Sequence, residues 1–184
     1  MLFRSAVADL LRHSGTVEVV DDIRSAKWMK LVVNAAELIP SAIVNTELNS
    51  AARAPGMLEV MRAAGYEAMQ AALADGATIM PIIGMPATMS NDPERYVDQI
   101  FERVLTTYSR EDTLTTSLQD WRKGRRAEVQ EVNGWVVDIL RAHGRDAPVN
   151  KRVVELGLRI EARQLEAQPQ NAGLMFEAYQ RTAL

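Results

Sequence analysis

Apolar residues return at three- and four-residue steps along most of this chain, and sustained two-residue alternation is almost absent, which predicts helix after helix. The first predicted helix covers residues 6–13 and stops at Gly15, whose tolerance of positive φ suits a helix end. A short apolar run at 17–20, just before Asp21 and Asp22, reads as extended. From 22 to 39 the residues Trp28, Leu31, Val32, Ala35 and Ile39 form one apolar stripe, and Pro40 is expected to end or kink that helix. Pro55 suits the first turn of a further helix that carries Leu58, Met61, Ala64, Met69 and Leu73 and is closed by Gly76.

The densest punctuation lies at 80–86, with Gly84, followed by Ser90, Asn91, Asp92 and Pro93, and it joins two helical halves. Asp92 and Pro93 supply a cap and a first-turn proline for a helix carrying Tyr96, Ile100, Val104 and Leu105. A short helix at 115–121 leads into a long one at 125–143, with Val129, Val132, Val136, Ile139 and Leu140 inside and Gly144 at its end. Pro148 and Asn150 start a helix expected at 151–167, and after Pro169 a last amphipathic segment carries Leu174, Phe176 and Tyr179. The expectation is an all-α, multi-helix bundle forming one domain over residues 1–184.

Composition narrows the function. At 184 residues, 47% hydrophobic and 24% charged, the chain has the make-up of a folded globular domain. A net charge of -3 gives no electrostatic footprint for nucleic acid, so no nucleic-acid partner is expected. Every long apolar window is broken by a charged residue, and the amino end shows no signal-peptide pattern, so no membrane partner and a cytoplasmic location are expected. The absence of cysteine excludes disulfides and thiolate metal sites.

The chemical motifs are mostly negative. No two of the ten glycines are spaced Gly-x-Gly, so the turn that cradles a dinucleotide pyrophosphate is not found, and no glycine-rich loop ends in Lys-Ser or Lys-Thr. His13 and His143 are far apart without ligand-spaced partners, so no metal is expected, and both read as surface groups near helix ends. The basic run from Arg122 through Lys123 to Arg125 and Arg126 reads as a solvated bend whose charge Asp120, Glu128 and Glu131 offset. One stripe offers chemistry: Lys30, Asn34 and Glu37 fall on a narrow face beside the apolar stripe, where an ammonium and an amide one turn apart suit a carbonyl or hydroxyl. Most stripes of this kind simply face solvent, and spacing alone does little to favour the functional reading.

Two ordered segments change the weighting. Residues 26–35, with Trp28, Lys30 and Asn34, resemble the Trp-x-Lys-x-x-x-Asn helix of the ketopantoate reductases, also called 2-dehydropantoate 2-reductases. Thr116, Leu118, Gln119 and Asp120, then Arg126, Ala127, Glu128 and Val129, resemble that family's second motif. Asn133, Gly134, His143, Gly144, Pro148 and Asn150 follow in order. The resemblance covers residues 21–161 and corresponds to the helical C-terminal domain of such enzymes, a fold class shared with 6-phosphogluconate dehydrogenase-like proteins.

The resemblance implies a role in an NADPH-dependent oxidoreductase of pantothenate biosynthesis that reduces a 2-oxo acid to a 2-hydroxy acid. In that family a Rossmann domain, whose glycine fingerprint this chain lacks, binds NADP, so no cofactor is expected for this chain alone. The helical domain supplies substrate groups and commonly a homodimer contact. By position, Lys30 is implied as the general acid, and Asn34, Thr116 and Glu128 as substrate-binding groups, with Glu128 also influencing Lys30. Three departures accompany this. The family's second asparagine, one turn beyond Asn34, is Leu38 here and follows Glu37; the usual threonine before the glutamate is Ala127; an acidic position is Gln130. A related 2-oxo acid substrate, or a non-catalytic helical binding and dimerisation module derived from the family, therefore stays open.

Overall fold

The computed structural model describes residues 2–86, 88–89 and 91–181, with side chains from Ser5 onward. Among them the structure is all-α and contains no strand. The helices are α1 (Leu2–Arg12), α2 (Ile23–Ile43), α3 (Leu48–Arg53), α4 (Met57–Ala74), α5 (Pro93–Arg103), α6 (Thr116–Arg122), α7 (Trp135–Ala142), α8 (Pro148–Glu161) and α9 (Asn171–Gln180). Single π-helical turns at Val104–Tyr108 and Gln130–Gly134 prolong α5 and precede α7.

Helix α2 lies at the centre, against α4, α6 and α8. Asp22 caps it, its carboxylate accepting from the Ser25 backbone N–H at 3.0 Å and so satisfying one of the first-turn donors left without a helical partner. Trp28 Nε1 donates to Asp75 Oδ2 at 2.8 Å, and Arg24 pairs with the same carboxylate at 2.6 Å, which fastens the start of α2 to the end of α4. Between those ends α2 and α4 meet through small residues: Ala35, Ala36, Ala64 and Ala68 are fully buried. A Cβ added to Gly65 would come within 2.9 Å of Val97 Cγ1 and 3.4 Å of Ala36 Cβ, so a larger residue there would push α4 away from both α5 and α2. Larger apolar side chains fill the space around this seam, and truncating one such as Met61 or Ile39 to alanine is expected to cost about 2–5 kcal/mol.

A polar latch closes the same core. Ala147, the residue at the N-cap of α8, has no side chain able to cap. Glu67 of α4 does it instead, its carboxylate accepting from the N–H groups of Val149 at 2.9 Å and Asn150 at 2.8 Å. The Asn150 side-chain amide donates back to Glu67 at 2.7 Å and to the Ala64 carbonyl at 3.0 Å. Its Oδ1 accepts from Asn133 at 2.8 Å, and the Asn133 amide also reaches the Ala35 carbonyl at 2.9 Å. Four elements are thereby joined by charge-assisted and amide hydrogen bonds, with Asn133 Oδ1 the latch atom left without a partner among the described residues.

The structure departs from the sequence expectations at several boundaries. Helix α2 does not end at Pro40 but runs to Ile43. Proline removes one backbone bond, yet Pro40, Ser41, Ala42 and Ile43 are all buried, and the Ser41 hydroxyl donates to the Glu37 carbonyl. Pro55 precedes α4 rather than opening it: Gly56, at φ +76, is the N-cap, and a Cβ there would meet the Phe176 ring at 2.6 Å. The short helix α3 has too few residues for its periodicity to register. Residues 125–129 are not helical, and α8 ends at Glu161, beyond which Arg163 turns the chain at φ +57.

Candidate functional site

One cleft of about 290 Å³ gathers the polar stripe of α2. Lys30, Val33, Asn34, Glu37 and Leu38 form its floor, which is what residues spaced three and four apart on a helix must do when that face is left open. The segment from Thr113 to Thr116, entering α6, makes one wall, and Val104 and Tyr108 of the π-helical turn, with Ser109 just after it, make the other. Ile82 and Ile83 reach over from the loop between α4 and α5.

That loop is held in place. Ile83 sits at φ +46, an uncommon conformation for a β-branched residue, and its carbonyl accepts from Arg103 Nε at 3.0 Å and from the Tyr108 hydroxyl at 2.7 Å. The α6 wall is fixed to α2 by Thr115, whose hydroxyl donates to the Leu38 carbonyl at 3.2 Å and lies 3.3 Å from the Ser41 hydroxyl. Leu48 N–H donates to the Thr113 carbonyl at 2.9 Å, and Ser109 donates to Asn49 Oδ1 at 2.9 Å.

Three of the four residues singled out in the sequence meet here: Lys30, exposed at the mouth; Asn34, half-buried one turn deeper; and Thr116, exposed on the facing wall. Glu128 does not line the cleft. It is exposed in the bend before the second π-helical turn, next to Val129, which is buried against Gly157. The segments Tyr108–Ser109 and Ile82–Ile83 carry no motif, and only tertiary packing brings them to the cleft. Thr115 differs, since adjacent hydroxyls at a predicted helix start are a visible signal.

Glu37 was visible on the same stripe without a role of its own. Although the residue as a whole is half-buried, its Oε2 is shielded from solvent and makes no hydrogen bond. Burial alone pushes its carboxyl up to about 7, because the charged form is poorly solvated among Val33, Leu38 and Leu114. Chemically the cleft thus offers one ammonium, one amide, hydroxyls and one unsatisfied carboxyl between apolar walls. With a single lining cation and this volume it does not match a dinucleotide, whose pyrophosphate needs a cradle of backbone donors.

Elsewhere, the basic bend is solvated as expected: Arg125 lies 3.9 Å from Asp120, and Arg126 pairs with Glu131 at 2.5 Å. Both histidines are exposed, His143 lying at the end of α7 with Nδ1 2.9 Å from the Ile139 carbonyl. Among the described residues no cluster suited to a metal ion occurs, and no helix is long and apolar enough to cross a membrane.

Comparison with known proteins places most of the chain in one family. Residues 22–161 match the family model described as ketopantoate reductase PanE/ApbA C terminal, and the chain belongs to that family. A 2-dehydropantoate 2-reductase of Archaeoglobus fulgidus is 29% identical over 157 residues, 85% of this chain and 47% of the relative. One from Yersinia pestis is 27% identical over 158 residues, 85% of this chain and 46% of the relative. The chain therefore spans about half the length of the curated relatives it matches. Among solved structures, a PanE/ApbA family ketopantoate reductase from Ralstonia eutropha JMP134 superposes with a TM-score of 0.72 at 26% identity, over 87% of this chain and 49% of that one. A D-mandelate dehydrogenase shares the fold at 16% identity, with a TM-score of 0.71 over 86% of this chain and 60% of that one.

Proposed function

We propose that this chain is the substrate-binding part of an NADPH-dependent reductase that converts a 2-oxo acid to a 2-hydroxy acid. The observation that carries the reading is the meeting of Lys30, Asn34 and Thr116 in one cleft of small-molecule size. The chemistry that NADPH would supply when bound, by residues outside this cleft, is a hydride to the carbonyl carbon. As negative charge builds on the carbonyl oxygen, the Lys30 ammonium donates its proton there, completing the alcohol. Asn34, one turn along the same face, donates its amide to the acid's oxygens, and the Thr116 hydroxyl holds the substrate from the opposite wall. Glu128, which does not line the cleft, would accept a hydrogen bond from a substrate hydroxyl and help set the charge of Lys30. Trp135 and Leu158, large and exposed on α7 and α8, suit a homodimer contact, which sedimentation at micromolar concentration would reveal as twice the chain mass.

The test joins this chain to a matched nucleotide-binding domain and follows NADPH oxidation with ketopantoate and related 2-oxo acids. Lys30→Met is expected to lower kcat about 10²–10⁴-fold, while Arg62→Met, a control on α4, leaves it near wild type. Equal, near-wild-type rates in both variants would end the catalytic assignment and favour a binding module.

A further inference from the structure

The reductase reading uses Lys30, Asn34 and Thr116 and leaves Glu37 idle, although Glu37 is the most anomalous group in the cleft. A shielded carboxylate oxygen without a donor costs free energy that an apolar residue of similar size would not. No cation of the described residues is bonded to it. Lys30 lies seven positions earlier on α2, roughly 10 Å along the axis at 1.5 Å per residue, and makes no hydrogen bond to the shielded oxygen. The neighbouring hydroxyls are already committed: Ser41 donates to the Glu37 and Leu38 carbonyls, and Thr115 to the Leu38 carbonyl. The apolar lining of the cleft, Val33, Leu38, Leu48 and Leu114, offers no donor, and although Asn34, Thr113 and Thr116 line the same cleft, none of them bonds the shielded oxygen.

We infer that Glu37 is the specificity-determining group of this cleft, and that it selects a substrate whose far end carries a hydrogen-bond donor, with a protonated amine as the strongest match. The inference rests on the reading of Lys30 and Asn34 as the acid-binding end. A substrate anchored there by its 2-oxo acid group and extended along the α2 face brings its tail to Glu37. An N–H or O–H donor satisfies the shielded oxygen. An ammonium also restores the ion pair that the fold withholds, and charge-assisted hydrogen bonds are roughly twice as strong as neutral ones. An aliphatic tail leaves the carboxyl unpaired.

Three product-type acids of equal length separate these cases: 6-amino-2-hydroxyhexanoate, 2,6-dihydroxyhexanoate and 2-hydroxyheptanoate, which end in ammonium, hydroxyl and methyl. Titrated into the full chain at about pH 8, the ammonium acid should bind about 10–100-fold tighter than the methyl acid, with the hydroxyl acid between them. Glu37→Gln should collapse that ratio towards one. Lys30→Met should weaken all three acids together, and if it does not, the acid-end reading fails while the tail preference stands. A second arm needs no acid end: n-butylammonium should shift the Glu37 carboxyl carbon resonance in wild type and in Lys30→Met alike. Tyr108 and Lys30, the other ionisable groups of the cleft, are followed as controls. An ammonium-to-methyl ratio unchanged by Glu37→Gln, or a Glu37 resonance indifferent to n-butylammonium, would overturn the inference.

Discussion

Glu67 and Glu37 sit on neighbouring helices, both half-buried as residues with carboxyls drawn away from water, and their surroundings could hardly differ more. Glu67 receives two backbone N–H groups from the first turn of α8 and an amide from Asn150. Desolvation still pushes its carboxyl up, but those hydrogen bonds pull against it, and the helix N-terminus favours negative charge. Glu37 has desolvation and nothing to oppose it. The first arrangement is what a fold does with a carboxylate it needs for cohesion. The second is stability forgone at a concave surface, the common condition of groups kept for a ligand.

The comparison breaks first at the latch. Asn150→Leu should cost about 3–5 kcal/mol in urea unfolding, because it removes three buried side-chain hydrogen bonds at once, those to Glu67, to the Ala64 carbonyl and from the Asn133 amide. A loss under 1 kcal/mol on that scale would mean that water replaces the amide and that the latch is not structural.

Glu37→Gln should do the reverse, and its effect depends on pH. The native carboxyl titrates near 7, above its ordinary value of 4.5. Between those values the native state holds a proton that the unfolded state has released, so wild-type stability falls as pH rises through that window and levels off above about 7. Glutamine has no such penalty. The variant should match wild type near pH 4 and exceed it by about 3 kcal/mol at pH 8.5. Stability curves that run parallel across this range would show that Glu37 is solvated or paired in solution.

The smallest effect is expected at Trp28, the most recognisable residue of the α2 motif. Its Nε1 bond to Asp75 anchors the helix rather than the ligand. Trp28→Phe should cost about 1 kcal/mol of stability and leave ligand affinity at the cleft unchanged.

Much of this was legible along the chain. The apolar stripe of α2 and the Lys30, Asn34 and Glu37 stripe beside it follow from helical periodicity, and Asp92 with Pro93 marks the start of α5 by local capping chemistry. The extent of α2 past Pro40 was not, because burial of Ser41 to Ile43 outweighs a local breaker. Nor were the π-helical turns, which no pattern of apolar positions specifies. That Thr116 faces Lys30 rested on family resemblance. Its physical cause is the packing of α6 on α2 through Thr115, a contact between residues 77 apart. Glu128, also singled out by position, lies in the bend at 125–129 and is not among the residues that line the cleft.

The central claim, that the Lys30 cleft is the acid-binding site, is met most directly by mapping a 2-oxo acid onto the chain with side-chain-resolved NMR. Titration should shift the Asn34 side-chain amide and the backbone of 113–116 together, and Lys30→Met should abolish the response. Shifts gathered instead around the basic bend at Arg122, Arg125 and Arg126, with Asn34 silent, would contradict the account.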